Sequence, residues 1–178
     1  MEPQKGDVMN AINAWLARSV RIAMTMCLLA ALMSIASAQG DPRIGTWELN
    51  LGKSTFNPGP APRSQTLTYG PAGQGLWALL QGVDATGKPF NPDTSNMAIK
   101  FDGKDHPTPM AMPQATYDSS AWTRISANQY VVKRKKAGKV VLTSTNVVSD
   151  DGKTMTITTK GVDAGGRPIN NIRVYDKR

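Results

Sequence analysis

Residues able to do acid–base, nucleophilic or metal chemistry are few. The chain has one histidine, His106, and one cysteine, Cys27, and its glutamates are Glu2 and Glu48. No Ser-His-Asp arrangement, zinc-ligand spacing or phosphate-binding loop stands out. One cluster has suitable residue types: Asp102-Gly103-Lys104-Asp105-His106 places two carboxylates and an imidazole in a short stretch that could hold a divalent ion. Asp-Gly is equally a tight-turn dipeptide, and proline follows the histidine at once, so the stretch reads first as a turn. No metal, cofactor or catalytic set is expected, and the chain is expected not to be an enzyme.

The densest charge is Lys133-Arg134-Lys135-Lys136, with Lys139 just beyond Ala137-Gly138. On a strand such residues alternate between faces, so they form a single cationic surface only where the hairpin tip projects into solvent. A solvated, aggregation-blocking hairpin is one reading. The other is an anchor for anionic lipid or lipopolysaccharide.

The N-terminus bears on which partners such charge can meet. Lys5, Arg18 and Arg21 precede the apolar run Ile22–Ile35, and Ala36-Ser37-Ala38 follows. Basic, apolar and small in that order describe a secretory signal peptide, here residues 1–38. The apolar run is shorter than the roughly 20 residues of a transmembrane helix. Cleavage would leave residues 39–178 as a single domain in the periplasm or outside the cell. Cys27 would leave with the leader, so packing and hydrogen bonds alone would hold the domain. Loss of Lys5, Arg18, Arg21, Glu2 and Asp7 takes the formal charge from +8 to about +7. A basic exported chain is no candidate for nucleic acid, and a monomer is the expected state.

Beyond residue 39 nothing sustains the apolar spacing of an amphipathic helix. Short alternating runs rich in Val, Ile, Thr and aromatics are separated by Gly, Pro, Asn and Asp. In the first of them, Trp47, Leu49 and Leu51 share one face, and Thr46, Glu48 and Asn50 the other. Later runs cover 65–69, 76–83, 97–101, 116–119, 122–126, 129–135, 139–149, 153–160 and 169–175. Two proline-punctuated stretches, 53–63 and 106–113, read as connecting loops, the second with Met110 and Met112 as a candidate apolar entrance. One turn occurs twice: Gly82-Val83-Asp84-Ala85-Thr86-Gly87-Lys88-Pro89 returns as Gly161-Val162-Asp163-Ala164-Gly165-Gly166-Arg167-Pro168. In each, Asp can cap the turn, the late Gly can take φ > 0, and Pro opens the returning strand. Hairpin connections throughout predict an all-β fold, an antiparallel up-and-down meander closed into a barrel of about 8–10 strands.

Gly45-Thr46-Trp47 at the head of this domain resembles the Gly-x-Trp motif of the lipocalins and their calycin relatives. The whole of 39–178 is similar to small secreted bacterial lipocalin-like proteins, which open with Gly-Thr-Trp-x-Leu-Asn and carry Asp-Gly-Lys-Thr-Met-Thr before the last hairpin. The resemblance implies that Trp47 plugs one barrel end and that Arg173, in the final strand, packs across it. It is weakened by the lack of a helix after the barrel and of disulfides. Alternation gives the candidate interior, ligand-lining residues: Trp47, Leu49, Leu67 or Tyr69, Trp77 and Leu79 or their alternates, Trp122, Val132, Met155, Ile157 and Ile172. Two functions follow as expectations. One is a barrel binding a small apolar or amphipathic ligand; the other is a non-enzymatic envelope module using the basic hairpin.

Overall fold

The computed structural model describes residues 40–89, 97–108 and 117–178. The expected signal peptide, Cys27, and the methionines Met110 and Met112 lie outside the described residues. Ten strands follow in order: β1 (Gly45–Leu49), β2 (Ser64–Ala72), β3 (Gly75–Val83), β4 (Met97–Ile99), β5 (His106–Pro107), β6 (Ser119–Arg124), β7 (Gln129–Lys136), β8 (Lys139–Val148), β9 (Thr154–Val162) and β10 (Pro168–Lys177). A 3₁₀ turn, Leu51–Lys53, follows β1. All strand pairs are antiparallel, and the sheet order is β4-β3-β2-β1-β10-β9-β8-β7-β6-β5. The first and last strands are therefore neighbours, with Trp47 opposite Lys177 and Leu49 opposite Tyr175. The two edges of the order, β4 and β5, follow one another in the chain. Residues between them cross to β6, where Asp102 bridges Thr123 and Gly103 N donates to Trp122 O at 3.0 Å. The fold is thus an all-β up-and-down meander curled into a barrel, with one chain segment joining its two edges.

The curl follows from alternation. Along β8, Leu142, Ser144, Asn146 and Val148 are buried, and along β9 Met155, Ile157 and Thr159. Curling brings these inner faces onto those of β1, β2 and β3. Trp47, Leu49, Tyr69, Leu76, Ile99, Trp122, Val132, Val148, Met155, Ile157 and Tyr175 form one apolar cluster. Each large side chain removed from water there contributes about 1.5–3 kcal/mol.

The repeated turn does what its residues predict. Asp84 Oδ1 accepts from the backbone N–H of Thr86 and Lys88 at 2.8 and 2.9 Å, and Asp163 Oδ1 from Gly165 and Arg167, both at 2.9 Å. Its first glycine has a further role. Gly82 and Gly161 sit at φ +147° and +150°, where a Cβ would lie 2.2 Å from Ser64 O and 2.0 Å from Val141 O. At both positions the strand passes too close to the preceding one for any side chain, as tight bends in curved sheets require.

Successive connections of a meander alternate between its ends. Asp41–Arg43 and the β2–β3, β6–β7 and β8–β9 turns define one end, here the base. The 3₁₀ turn, the repeated turns and the Ala137-Gly138 tip define the other, the mouth. Some boundaries differ from the alternation pattern. The expected turn over 70–75 is confined to Gly73-Gln74, because β2 extends through Pro71 opposite Leu76. The β1 register on β2 ends at Gly45 opposite Tyr69, so beyond it proline has no ladder to break on that side. Of the runs expected over 116–119 and 122–126, residue 116 lies outside the described residues and Ser119–Arg124 form one strand, β6; the stretch expected as a loop over 106–113 opens with a short strand, β5.

Candidate functional site

The inner wall is built by β6 to β10, and register defines its layers. One row crosses the sheet through Trp122, Val132, Ser144, Thr159 and Asn171. The row nearer the base holds Tyr130, Asn146, Ile157 and Arg173. The row nearer the mouth holds Ser120, Arg134 and Leu142. Period-two alternation is what turns Arg134 inward: it lies on the same strand face as Val132 and Tyr130, both fully buried.

Two hydroxyls join the two arginines. Arg134 Nη1 donates to Ser144 Oγ at 2.9 Å, Ser144 Oγ and Thr159 Oγ1 are 2.8 Å apart, and Arg173 Nη2 donates to Thr159 Oγ1 at 3.2 Å. The Tyr117 ring stands 5.3 Å from the Arg134 guanidinium. Beside Arg173, burial pushes the Tyr175 phenol up to about 12, although the arginine's charge opposes the shift. Tyr175 donates to Gln65 Oε1, from β2, two strands along the sheet on the far side of β1. Burial also raises the Tyr69 phenol, against the charges of Arg43, Arg134 and Arg173. Three buried donors on this wall have no hydrogen-bond partner among the described residues: Trp122 Nε1, Asn146 Nδ2 and Arg173 Nε. The wall is therefore rich in donors and poor in acceptors.

The base is sealed by a second cluster. Arg43 is fully buried, and its guanidinium carbon lies 3.6 Å from the Tyr130 ring centroid and 4.6 Å from that of Phe101. Asp41 binds it through Oδ1 and Oδ2 at 3.1 and 3.2 Å, and also accepts from Arg124 at 2.8 Å and the Tyr130 hydroxyl at 3.1 Å. Burial alone would raise the Asp41 carboxyl. The Arg43 hydrogen bonds and charge, with the Tyr130 hydroxyl, outweigh burial and hold it below its ordinary value. Trp47 Nε1 donates to the Arg43 carbonyl at 2.7 Å, tying the plug to β1.

No protein-family model matches the chain. No curated protein matches its sequence. Among solved structures, the chain is similar to zebrafish ileal bile acid-binding protein, crystallised with cholic acid. Identity is 12%, over 77% of this chain and 99% of that one, with a TM-score of 0.47.

Of the residues that alternation placed inside, Trp47, Tyr69, Trp122, Val132, Met155 and Ile157 are buried in the central cluster. Trp77 and Leu79 are not among them. With a two-residue turn at Gly73-Gln74, Tyr69 pairs with Ala78, which puts Leu76, Ala78 and Leu80 on the inner face and turns Trp77 and Leu79 outward. The Trp77 ring instead covers Gly70, where a Cβ would lie 2.4 Å from it. Ile172 likewise faces out, 40% exposed, because Arg173 and Tyr175 hold the inner positions of β10.

The expected packing of Arg173 across Trp47 is also replaced. The cation over the Trp47 ring is Lys177 Nζ, 4.9 Å from the centroid. Lys177 stands opposite Trp47 in the ladder, whereas Arg173 is about 13 Å back along the strand at roughly 3.3 Å per residue. The basic hairpin divides in the same way. Lys133, Lys136 and Lys139 are exposed, Arg134 points inward, and Lys135 Nζ binds Asp105 at 2.7 Å. In the Asp102–His106 stretch, His106 Nε2 lies 2.9 and 3.0 Å from the two Asp102 oxygens, clipping the segment between β4 and β5.

Sequence reasoning did not single out Asp41, Arg43, Tyr130 or the inward role of Arg134. For Arg134 a signal existed, since it shares parity with Val132. For Arg43 there was none beyond its place just before Gly45-Thr46-Trp47.

Proposed function

We propose that this chain is an exported, lipocalin-like binding protein that holds a small amphipathic ligand inside its barrel. The observation that carries the reading is the pair of buried donors Trp122 Nε1 and Asn146 Nδ2, set in an apolar lining without a partner among the described residues. An unsatisfied buried donor costs about 1–3 kcal/mol, which a ligand acceptor would return. Apolar neighbours such as Val132 and Ile157 would take the rest of the ligand. An uncharged fluorescent amphiphile, N-phenyl-1-naphthylamine, provides the test. Saturable emission enhancement at one probe per chain supports the reading, and emission that rises without saturation, as for a surface, contradicts it.

A second proposal rests on the exposed Lys133, Lys136 and Lys139 around the β7–β8 tip, at the mouth. They would hold the protein against an anionic envelope surface such as lipopolysaccharide. Sedimentation with anionic liposomes at low salt, lost at high salt, is the expected result; indifference to both would exclude it. Export itself is tested by fractionation and N-terminal sequencing, with Gln39 as the expected first residue.

A further inference from the structure

We infer that the barrel interior seats the oxyanion headgroup of an amphipathic ligand, a carboxylate or a phosphate ester, between Arg134 and Arg173. This rests on the ligand-binding reading above and gives the ligand a charge.

The molecule supplies its own comparison. Arg43 and Arg124 share Asp41, Lys135 has Asp105, Arg167 has Asp163, Lys53 has Asp176, and Arg178 has Glu48. Arg134 and Arg173 face the interior and meet hydroxyls instead of a carboxylate. Ser144, the partner of Arg134, and Thr159, the partner of Arg173, are buried, so these hydrogen bonds lie within the wall and not on the surface. Arg173 Nε is buried without any partner among the described residues. Both arginines are half-buried, and a partly desolvated guanidinium is stabilised by an anion beside it. Its donor fork fits the two oxygens of a carboxylate or phosphate. The two guanidiniums, linked through Ser144 and Thr159, stand along one wall from β7 to β10. Leu142, opposite Arg134, and Ile157, opposite Arg173, are apolar inner positions beside it, suited to a hydrocarbon tail. Lys136 and Lys139 at the mouth would raise the local concentration of anions on the approach path.

The test is displacement of the uncharged probe from the purified protein by dodecanoate, methyl dodecanoate, dodecyl phosphate and acetate. Dodecanoate or dodecyl phosphate should bind at least about tenfold tighter than the ester, as hydrogen bonds to a charged group require. The tighter of the two identifies the headgroup. Arg134→Gln and Arg173→Gln should each remove most of the advantage of acid over ester. Acetate binding as well as dodecanoate would overturn the amphiphile. Equal affinity for acid and ester would overturn the headgroup assignment while leaving the ligand-binding reading intact. Failure of the uncharged probe itself to bind saturably would overturn that reading too. If a variant does not fold, the comparison of acid with ester on the unaltered protein still decides.

Discussion

Asp41 and Arg43 show what a buried ion pair does for this barrel. Asp41→Asn leaves the fully buried Arg43 charge without its carboxylate, and is expected to lower unfolding free energy by about 3 kcal/mol. Adding Arg43→Met should restore part of that loss, because an apolar side chain needs no partner. Urea midpoints of the three proteins measure both effects. The Asp41 carboxyl sits below its ordinary value of 3.8. Its contribution is therefore complete above the unfolded pKa and is lost as pH falls through the folded one. The midpoint should drop below about pH 4, and drop less steeply in Asp41→Asn. Tyr175 acts at the other extreme. With its phenol raised from 10.0 to about 12, it holds its proton when folded, so its stabilisation is present below pH 10 and lost between pH 10 and 12. Tyr175→Phe should flatten that alkaline decline, as followed by circular dichroism against pH.

At the scale of elements, the glycine that opens each repeated turn is the sharpest constraint. Gly161→Ala would bring a methyl to 2.0 Å from Val141 O at a φ of +150°. The expected cost is at least about 2 kcal/mol. Gly73→Ala is the control: φ is +57° and nothing lies within 4 Å, so only the left-handed backbone is penalised, by about 1 kcal/mol. Thermal denaturation of the two variants separates close approach from conformation. These elements also show how much of the structure the sequence discloses. The meander and the Asp-capped turns follow from alternation and turn chemistry, which are local; the individual strands do not all follow, since β5 lies in a stretch that reads as a loop and β6 joins two expected runs. The inner face of β3 does not, because Leu76-Trp77-Ala78-Leu79-Leu80 is apolar on both faces. Only the pairing of Tyr69 with Ala78 chooses between them. The cation over Trp47 escaped for a related reason: any basic residue of β10 is available to a motif, and register selects Lys177. The candidate site was partly legible. Trp122, Val132 and Ile157 could be placed by parity, but the Arg134–Ser144–Thr159–Arg173 chain joins three strand pairs. It exists only once their registers are known.

At the scale of the molecule, the base and the inner wall differ in kind. The base is closed by a stacked, ion-paired arginine. The wall from β6 to β10 carries arginines, hydroxyls and, in its middle and lower rows, unpaired donors. A barrel needing only stability has no use for the second arrangement, since each orphan donor weakens the fold. Asn146→Leu should therefore stabilise the protein by about 1–3 kcal/mol while weakening ligand binding, a trade common at binding sites. The account stands most directly on native mass spectrometry of the protein purified without detergent from the cells that produce it. It predicts a discrete mass excess of amphiphile size, removed by organic extraction and identified as an acid in negative-ion mode. A single unliganded mass that takes up no amphiphile on reconstitution would contradict it.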